Sequence, residues 1–191
     1  TLPQQSVERR PAVNDSSFCC QEPKILFDRA LLLAKNRQPE QSLELLEKII
    51  GLSPSFVNAL LLKVCLLLDG CCYEQAASAC QSVNAIDPLR CESYLISGLI
   101  ARQNSKEMDA LEYFRKAIFL KQDCWVAHFY SAEILYSRKE YKLANAGYQK
   151  TVSLLKEGSL QSSGIFFPLS FDTGQFVTIS KHKLSLLKEV R

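Results

Sequence analysis

One interval governs this sequence: residues of matching size return every 34 positions. Ala76, Ala110 and Ala144 are spaced by it, and Ser42 extends the series one step upstream. Four further columns keep the same register: Ala30, Val64, Gly98 and Ala132; Leu46, Cys80, Phe114 and Tyr148; Ile49, Val83, Ala117 and Thr151; and the prolines Pro54 and Pro88. Such a period marks repeated copies of one supersecondary unit, none able to bury its apolar face alone, so the copies must stack.

The residue types say what the unit is. Small residues at its eighth and twentieth positions let two antiparallel helices approach closely, and a large residue at the twenty-fourth fills the space beside them. Proline at the thirty-second position stops the second helix before the next unit begins. Each of the units 23–56, 57–90, 91–124 and 125–158 is therefore expected to be a helix–turn–helix. Their order of small, small, large, small and proline resembles the tetratricopeptide repeat (TPR) family. The third unit carries it most fully, with Tyr94, Gly98, Ala110, Phe114 and Ala117. Gln122 and Lys156 replace proline in units three and four, Ser42 replaces alanine in unit one, and Pro39 falls at a first helical turn, where proline is tolerated. The resemblance implies an all-α, right-handed TPR solenoid of four helix-turn-helix repeats with a C-terminal capping helix, roughly nine helices in total.

The last repeat of such an array exposes an apolar face and needs a cap with a polar outer side. Residues 159–191 are read as a loop followed by that capping helix, from Thr173 to Val190, with Phe176, Ile179, Lys183, Leu184 and Leu187 on one side and Asp172 or Thr173 as N-cap. The link IFFPLSF at 165–171 is apolar enough to pack back on the array. Residues 1–22 are polar, contain Pro3 and Pro11, and read as a flexible linker or tail.

Charge and composition remove several function classes. Lys plus Arg number 23 against 20 Asp plus Glu, so no strong basic field points to nucleic acid or an acidic membrane surface. The longest apolar stretch, ALLLKVCLLL at 59–68, is too short to span a bilayer and contains Lys63. The eight cysteines form no C-x2-C pair, which argues against a structural metal, and reduced thiols in a cytoplasmic protein are expected.

Catalytic material is sparse. Neither a G-x-G-x-x-G nor a G-x-x-x-x-G-K-[ST] phosphate loop occurs, and no H-E-x-x-H lies on a helix. Of two histidines, His128 occupies a column held elsewhere by Leu26, Leu60 and Tyr94, where a packed imidazole is expected; His182 sits among Lys181 and Lys183 on a charged turn. Glu44 and Glu47 lie near Lys48 on a helix surface, which suits solvation more than paired-carboxylate chemistry. No enzymatic activity and no cofactor are expected of this chain.

Function is instead expected on the inner side of the array, lined by the first helix of each hairpin. Two of the groove columns known from the family read Phe27 and Leu31, Leu61 and Cys65, Leu95 and Leu99, Phe129 and Glu133, with Arg102 and Gln103 at the open end. Seven of those first eight are apolar, an exposed trough suited to an amphipathic helix or apolar peptide unless residues 13–20, residues 165–171 or a second molecule fill it. The Lys, Asn and Arg set with which some members clamp a C-terminal carboxylate is missing.

Two strings go beyond the generic pattern. DPLRCESYLISGLI at 87–100 and FRKAIFLKQDCWVAHF at 114–129 resemble the TPR extension found downstream of some bacterial chemotaxis-receptor glutamate methyltransferases. The matching residues are Asp87, Pro88, Leu89, Tyr94, Leu95, Gly98, Leu99, Arg115, Lys116, Ala117, Ile118, Phe119, Leu120, Asp123, Ala127, His128 and Phe129, with Gln122 where the family usually has proline. The resemblance implies a regulatory module attached to an S-adenosylmethionine-dependent enzyme whose catalytic residues have no counterpart here, with a chemoreceptor or signalling protein as partner. The competing expectations are a freestanding TPR adaptor and a homodimerisation module.

Overall fold

The structure, a computed structural model, describes residues 22–156 and 173–189. Of the expected tail over 1–22 only Glu22 is described, as the first residue of a helix, and the apolar link at 165–171 lies outside the described residues. Within them the chain is all α, with no strand. The helices are α1 (Glu22–Lys35), α2 (Pro39–Leu52), α3 (Val57–Asp69), α4 (Tyr73–Ile86), α5 (Cys91–Gln103), α6 (Glu107–Leu120), α7 (Trp125–Ser137), α8 (Tyr141–Lys156) and α9 (Thr173–Glu189). Four hairpins, α1–α2, α3–α4, α5–α6 and α7–α8, stack in sequence, and α9 closes the end against α8. The 34-residue register survives into coordinates: Pro39, Tyr73, Glu107 and Tyr141 each open a second helix.

The repeat columns are the core. Ser42, Ala76, Ala110 and Ala144 are all 0% exposed, as are Ile49, Val83, Ala117 and Thr151. The small eighth position and the large twenty-fourth trade volume: Val64 accompanies Cys80 in the second hairpin, whereas Gly98 accompanies the ring of Phe114 in the third. Ser42 is tolerated at an alanine position because its hydroxyl donates to Ala30 O across the hairpin at 2.8 Å, which satisfies the buried oxygen.

Every hairpin turns the same way. Arg37, Cys71, Ser105 and Lys139, again 34 apart, adopt positive φ of 58°, 58°, 58° and 64°. Around each, two bonds close a Schellman motif: at the first turn Arg37 N donates to Ala34 O and Gln38 N to Leu33 O, and at the last Lys139 N donates to Tyr136 O and Glu140 N to Leu135 O. The junctions between hairpins are also alike. Arg90 N donates to Asp87 O at 3.3 Å where Pro88 stands in the turn, and Cys124 N donates to Lys121 O at 3.1 Å where Gln122 replaces proline. At that second junction the Nε2–H of His128 reaches back to Gln122 O at 3.0 Å. The imidazole thus ties the residue in the proline position to the next helix.

Helix α9 presents Leu187, 4% exposed, and the half-buried Phe176, Val177 and Leu184 to the α7–α8 hairpin, with Lys181, His182 and Lys188 outward. Ile179 departs from the expected apolar side and is 41% exposed. Lys183, also expected on that side, places its ammonium 4.1 Å from the centre of the Tyr136 ring, so its stem covers apolar surface while the charge meets an aromatic face.

Candidate functional site

The fifth-position column is not an open trough. Phe27, Leu61, Leu95 and Phe129 are 8%, 0%, 2% and 4% exposed. Each of these side chains is packed into the buried apolar core. Phe27 meets Phe56 edge-on at 5.4 Å between centroids, and Phe129 meets Phe176 of α9 edge-on at 4.7 Å. Phe176 also lies 5.1 Å from Trp125 and 6.2 Å from Tyr130, so the cap inserts one ring into an aromatic cluster of α7.

The ninth-position column is mixed. Leu31, Leu99 and Glu133 are half-buried, while Cys65 is buried and its thiol is pushed up to about 12 by loss of solvent and then by nearby Asp69. Cys65 is therefore a packed thiol and offers no groove contact. Of ten residues expected to line the groove, Phe27, Leu61, Leu95, Phe129 and Cys65 belong to the interior; Leu31, Leu99, Glu133, Arg102 and Gln103 keep accessible surface.

Around these five, one constellation stands out, at the α5–α7 junction. The Arg102 guanidinium is exposed and sits 4.9 Å from the centre of the Tyr130 ring. Tyr130 is held from behind by stacking on Phe114 at 6.1 Å and by an edge contact with Phe129 at 5.3 Å. Burial raises the Tyr130 phenol above its ordinary value, while Arg102 pulls the other way. Glu133, one turn along α7, does not neutralise Arg102 in an ion pair; its carboxylate accepts a hydrogen bond from the Tyr148 hydroxyl. Burial and that carboxylate together push the Tyr148 phenol well above the usual tyrosine range. The result is a cation backed by a rigid aromatic plane, next to half-buried leucines. It can take a carboxylate or a polarised peptide group beside an apolar side chain.

Tyr130 and Phe176 were not among the expected site residues. Tyr130 adjoins Phe129 in sequence, and the family columns directed attention to its neighbour; Phe176 was legible only as part of a cap.

His128 is held below the ordinary histidine value of 6.5 chiefly by burial, with its Nε2 already donating to Gln122 O. Among the described residues no group of three or more His, Cys, Asp or Glu is placed to hold a metal ion, and Cys65, Cys71, Cys72, Cys80, Cys91 and Cys124 are free thiols. No described helix is long and apolar enough to cross a membrane.

No protein-family model and no curated protein matches the sequence. Solved structures do. The chain is similar to pilF of Pseudomonas aeruginosa, with 19% identity over 86% of this chain and 72% of that one at a TM-score of 0.65. It is also similar to MamA 41-end from Desulfovibrio magneticus, 21% identical over 71% and 76% of the two chains at a TM-score of 0.61. The Arabidopsis OM64 TPR domain aligns at 18% identity over 61% of this chain and 96% of its own, with a TM-score of 0.58. At these identities the likeness is one of fold, and the fold is the TPR-type solenoid.

Proposed function

We propose that this chain is a protein–protein interaction module that grips a peptide or helix along the side carried by the first helices of its hairpins, centred on Arg102 and Tyr130. One observation carries the reading: the Arg102 guanidinium is exposed, fixed over an aromatic face, and makes no ion pair among the described residues. A charge in that state has its geometry set in advance, so little ordering cost remains when a partner carboxylate arrives. Leu99 and Leu31 supply apolar contact along the same side, and Gln103 adds a polar rim.

The finer reading is that the module regulates a chemotaxis-receptor glutamate methyltransferase by choosing or restricting its receptors. Its support is the pair of strings at 87–100 and 114–129, which meet in the third hairpin and the turn after it. A freestanding adaptor would use the same surface.

A photo-crosslinking amino acid at Gln103 tests the assignment, with the same group at the exposed Lys142 of α8 as control. In cells, the Gln103 probe is expected to trap a discrete partner, a chemoreceptor on the finer reading, that the Lys142 probe does not. Equal trapping at both positions, or none at Gln103, contradicts the surface. A crosslink between two copies of this chain contradicts the receptor and favours dimerisation.

A further inference from the structure

At the opposite edge of the third hairpin, where the C-terminal half of α6 lies beside the start of α5, two large apolar side chains face solvent. Phe119 is 85% exposed and Leu89 is 74% exposed. They flank a cleft of about 450 Å³ whose walls include Pro88, Tyr94, Arg115 and Lys116. Isolated exposed apolar residues are ordinary, but two of this size around one cleft form a patch of the kind used for association.

The repeat fold does not require this patch. Where Phe119 stands in the third hairpin, the other hairpins have Gly51, Ala85 and Ser153, none of which contributes a ring. The position of Leu89 is Ser55 in the first hairpin and Asp123 in the third. The turn that presents Leu89 is also fixed: the Tyr94 hydroxyl donates to Pro88 O at 3.1 Å, and Leu89 N donates to an Asp87 carboxylate oxygen at 3.3 Å. That second bond engages the Asp87 carboxylate with the backbone.

The charged side chains that line the cleft have one sign. Arg115 and Lys116 are exposed, neither joins an ion pair among the described residues, and no carboxylate lines the cleft. Lys116 rests 5.8 Å from the centre of the Tyr113 ring, a contact that leaves its charge uncompensated.

The geometry points to a second docking surface, separate from the Arg102 side, that takes a short acidic segment of a partner protein carrying one bulky apolar side chain. The apolar side chain enters between Phe119 and Leu89, and flanking carboxylates meet Arg115, as a fork, and Lys116, as a point charge. Such a site discriminates by sign as well as by shape, because a basic segment meets uncompensated cations.

The test is fluorescence anisotropy of the chain with the labelled peptide Glu-Asp-Phe-Glu-Asp, its amide counterpart Gln-Asn-Phe-Gln-Asn, and Glu-Asp-Gly-Glu-Asp, which lacks the ring. Saturable binding of the first is expected, at least about tenfold weaker for each of the others. Phe119→Ser and Arg115→Gln, both at exposed positions, are each expected to weaken it at least about tenfold, and Lys142→Gln, at an exposed position of α8, to leave it unchanged. Circular dichroism shows that each variant is folded. Equal binding of the amide peptide, unchanged affinity in Phe119→Ser, loss only in Lys142→Gln, or no binding up to about 1 mM overturns the proposal. So does a concentration-dependent self-association that Phe119→Ser abolishes while the acidic peptide fails to bind, since the occupant is then a second copy.

Discussion

The ring of Phe114 occupies the space that a side chain on Gly98 would need. A Cβ built on Gly98 would stand 2.5 Å from Phe114 Cε1 and 2.7 Å from its Cδ1, closer than real carbon contacts allow. Two helices of the third hairpin touch there, so the glycine is a volume requirement. Gly98→Ala is therefore expected to destabilise by about 2 kcal/mol, although alanine is the better helix former. Gly51, near the end of α2, has nothing within 4 Å of the equivalent point. Gly51→Ala is expected to stabilise by about 0.5 kcal/mol, because only the backbone entropy term remains. Urea denaturation of the two variants gives shifts of opposite sign.

The four hairpin turns each hold a residue with a side chain in the left-handed region. At Lys139, φ is 64° and the side chain is exposed, so glycine removes the steric cost without removing a packed group. Lys139→Gly is expected to raise stability by up to about 1 kcal/mol, whereas Gly introduced at neighbouring Tyr136, inside α7, lowers it. Paired midpoints of thermal unfolding check both.

The cap acts through one ring. Phe176→Ala removes contacts with Trp125, Phe129 and Tyr130 together and opens the seam of the last hairpin. The expected loss is about 2 kcal/mol. Because Trp125 is the single tryptophan, its emission is expected to move to longer wavelength in the variant before the array unfolds. A spectrum identical to that of the parent chain would mean that α9 is held by other contacts.

His128 gives the chain an acid-sensitive joint. Its folded-state value lies below the ordinary 6.5, chiefly because burial disfavours the charged ring; the bond to Gln122 O opposes that shift, and Lys150 adds to it. As pH falls through 6.5 the unfolded chain takes up this proton before the folded one, so stability declines toward the lower folded value and is level above 6.5. Denaturant midpoints between about pH 8 and pH 5 are expected to fall, and His128→Gln is expected to flatten that part of the profile. An unchanged slope in the variant assigns the acid sensitivity to other groups.

The fold was legible because it is periodic. One interval set the register of four hairpins, and residue volumes in columns such as Gly98 with Phe114 explained how two helices approach. The turns were legible in position only. Arg37, Cys71, Ser105 and Lys139, two cations, a thiol and a hydroxyl, share a backbone conformation, because two backbone hydrogen bonds at each turn impose the left-handed residue whatever its side chain. Groove columns transferred poorly for a related reason. A column fixes direction relative to a helix axis, whereas exposure depends on what the rest of the chain places there; Phe129 is 4% exposed because it packs against Phe176. Arg102 was legible as a charged position at the open end of the groove, but its orientation over Tyr130 depends on a tertiary contact between hairpins that no local pattern encodes.

The central claim is that a protein partner engages the side of the array marked by Arg102. Isothermal titration of the cytoplasmic part of a chemoreceptor from the same genome into the chain, and into its Arg102→Glu and Phe119→Ser variants, tests this most directly. Receptor binding is predicted, with at least about tenfold loss of affinity in Arg102→Glu, as expected for reversing an interfacial charge. Phe119→Ser is predicted to bind as the parent chain does. Equal affinity of the parent chain and Arg102→Glu would contradict the account, and absence of receptor binding to the parent chain would contradict the proposed link to chemotaxis.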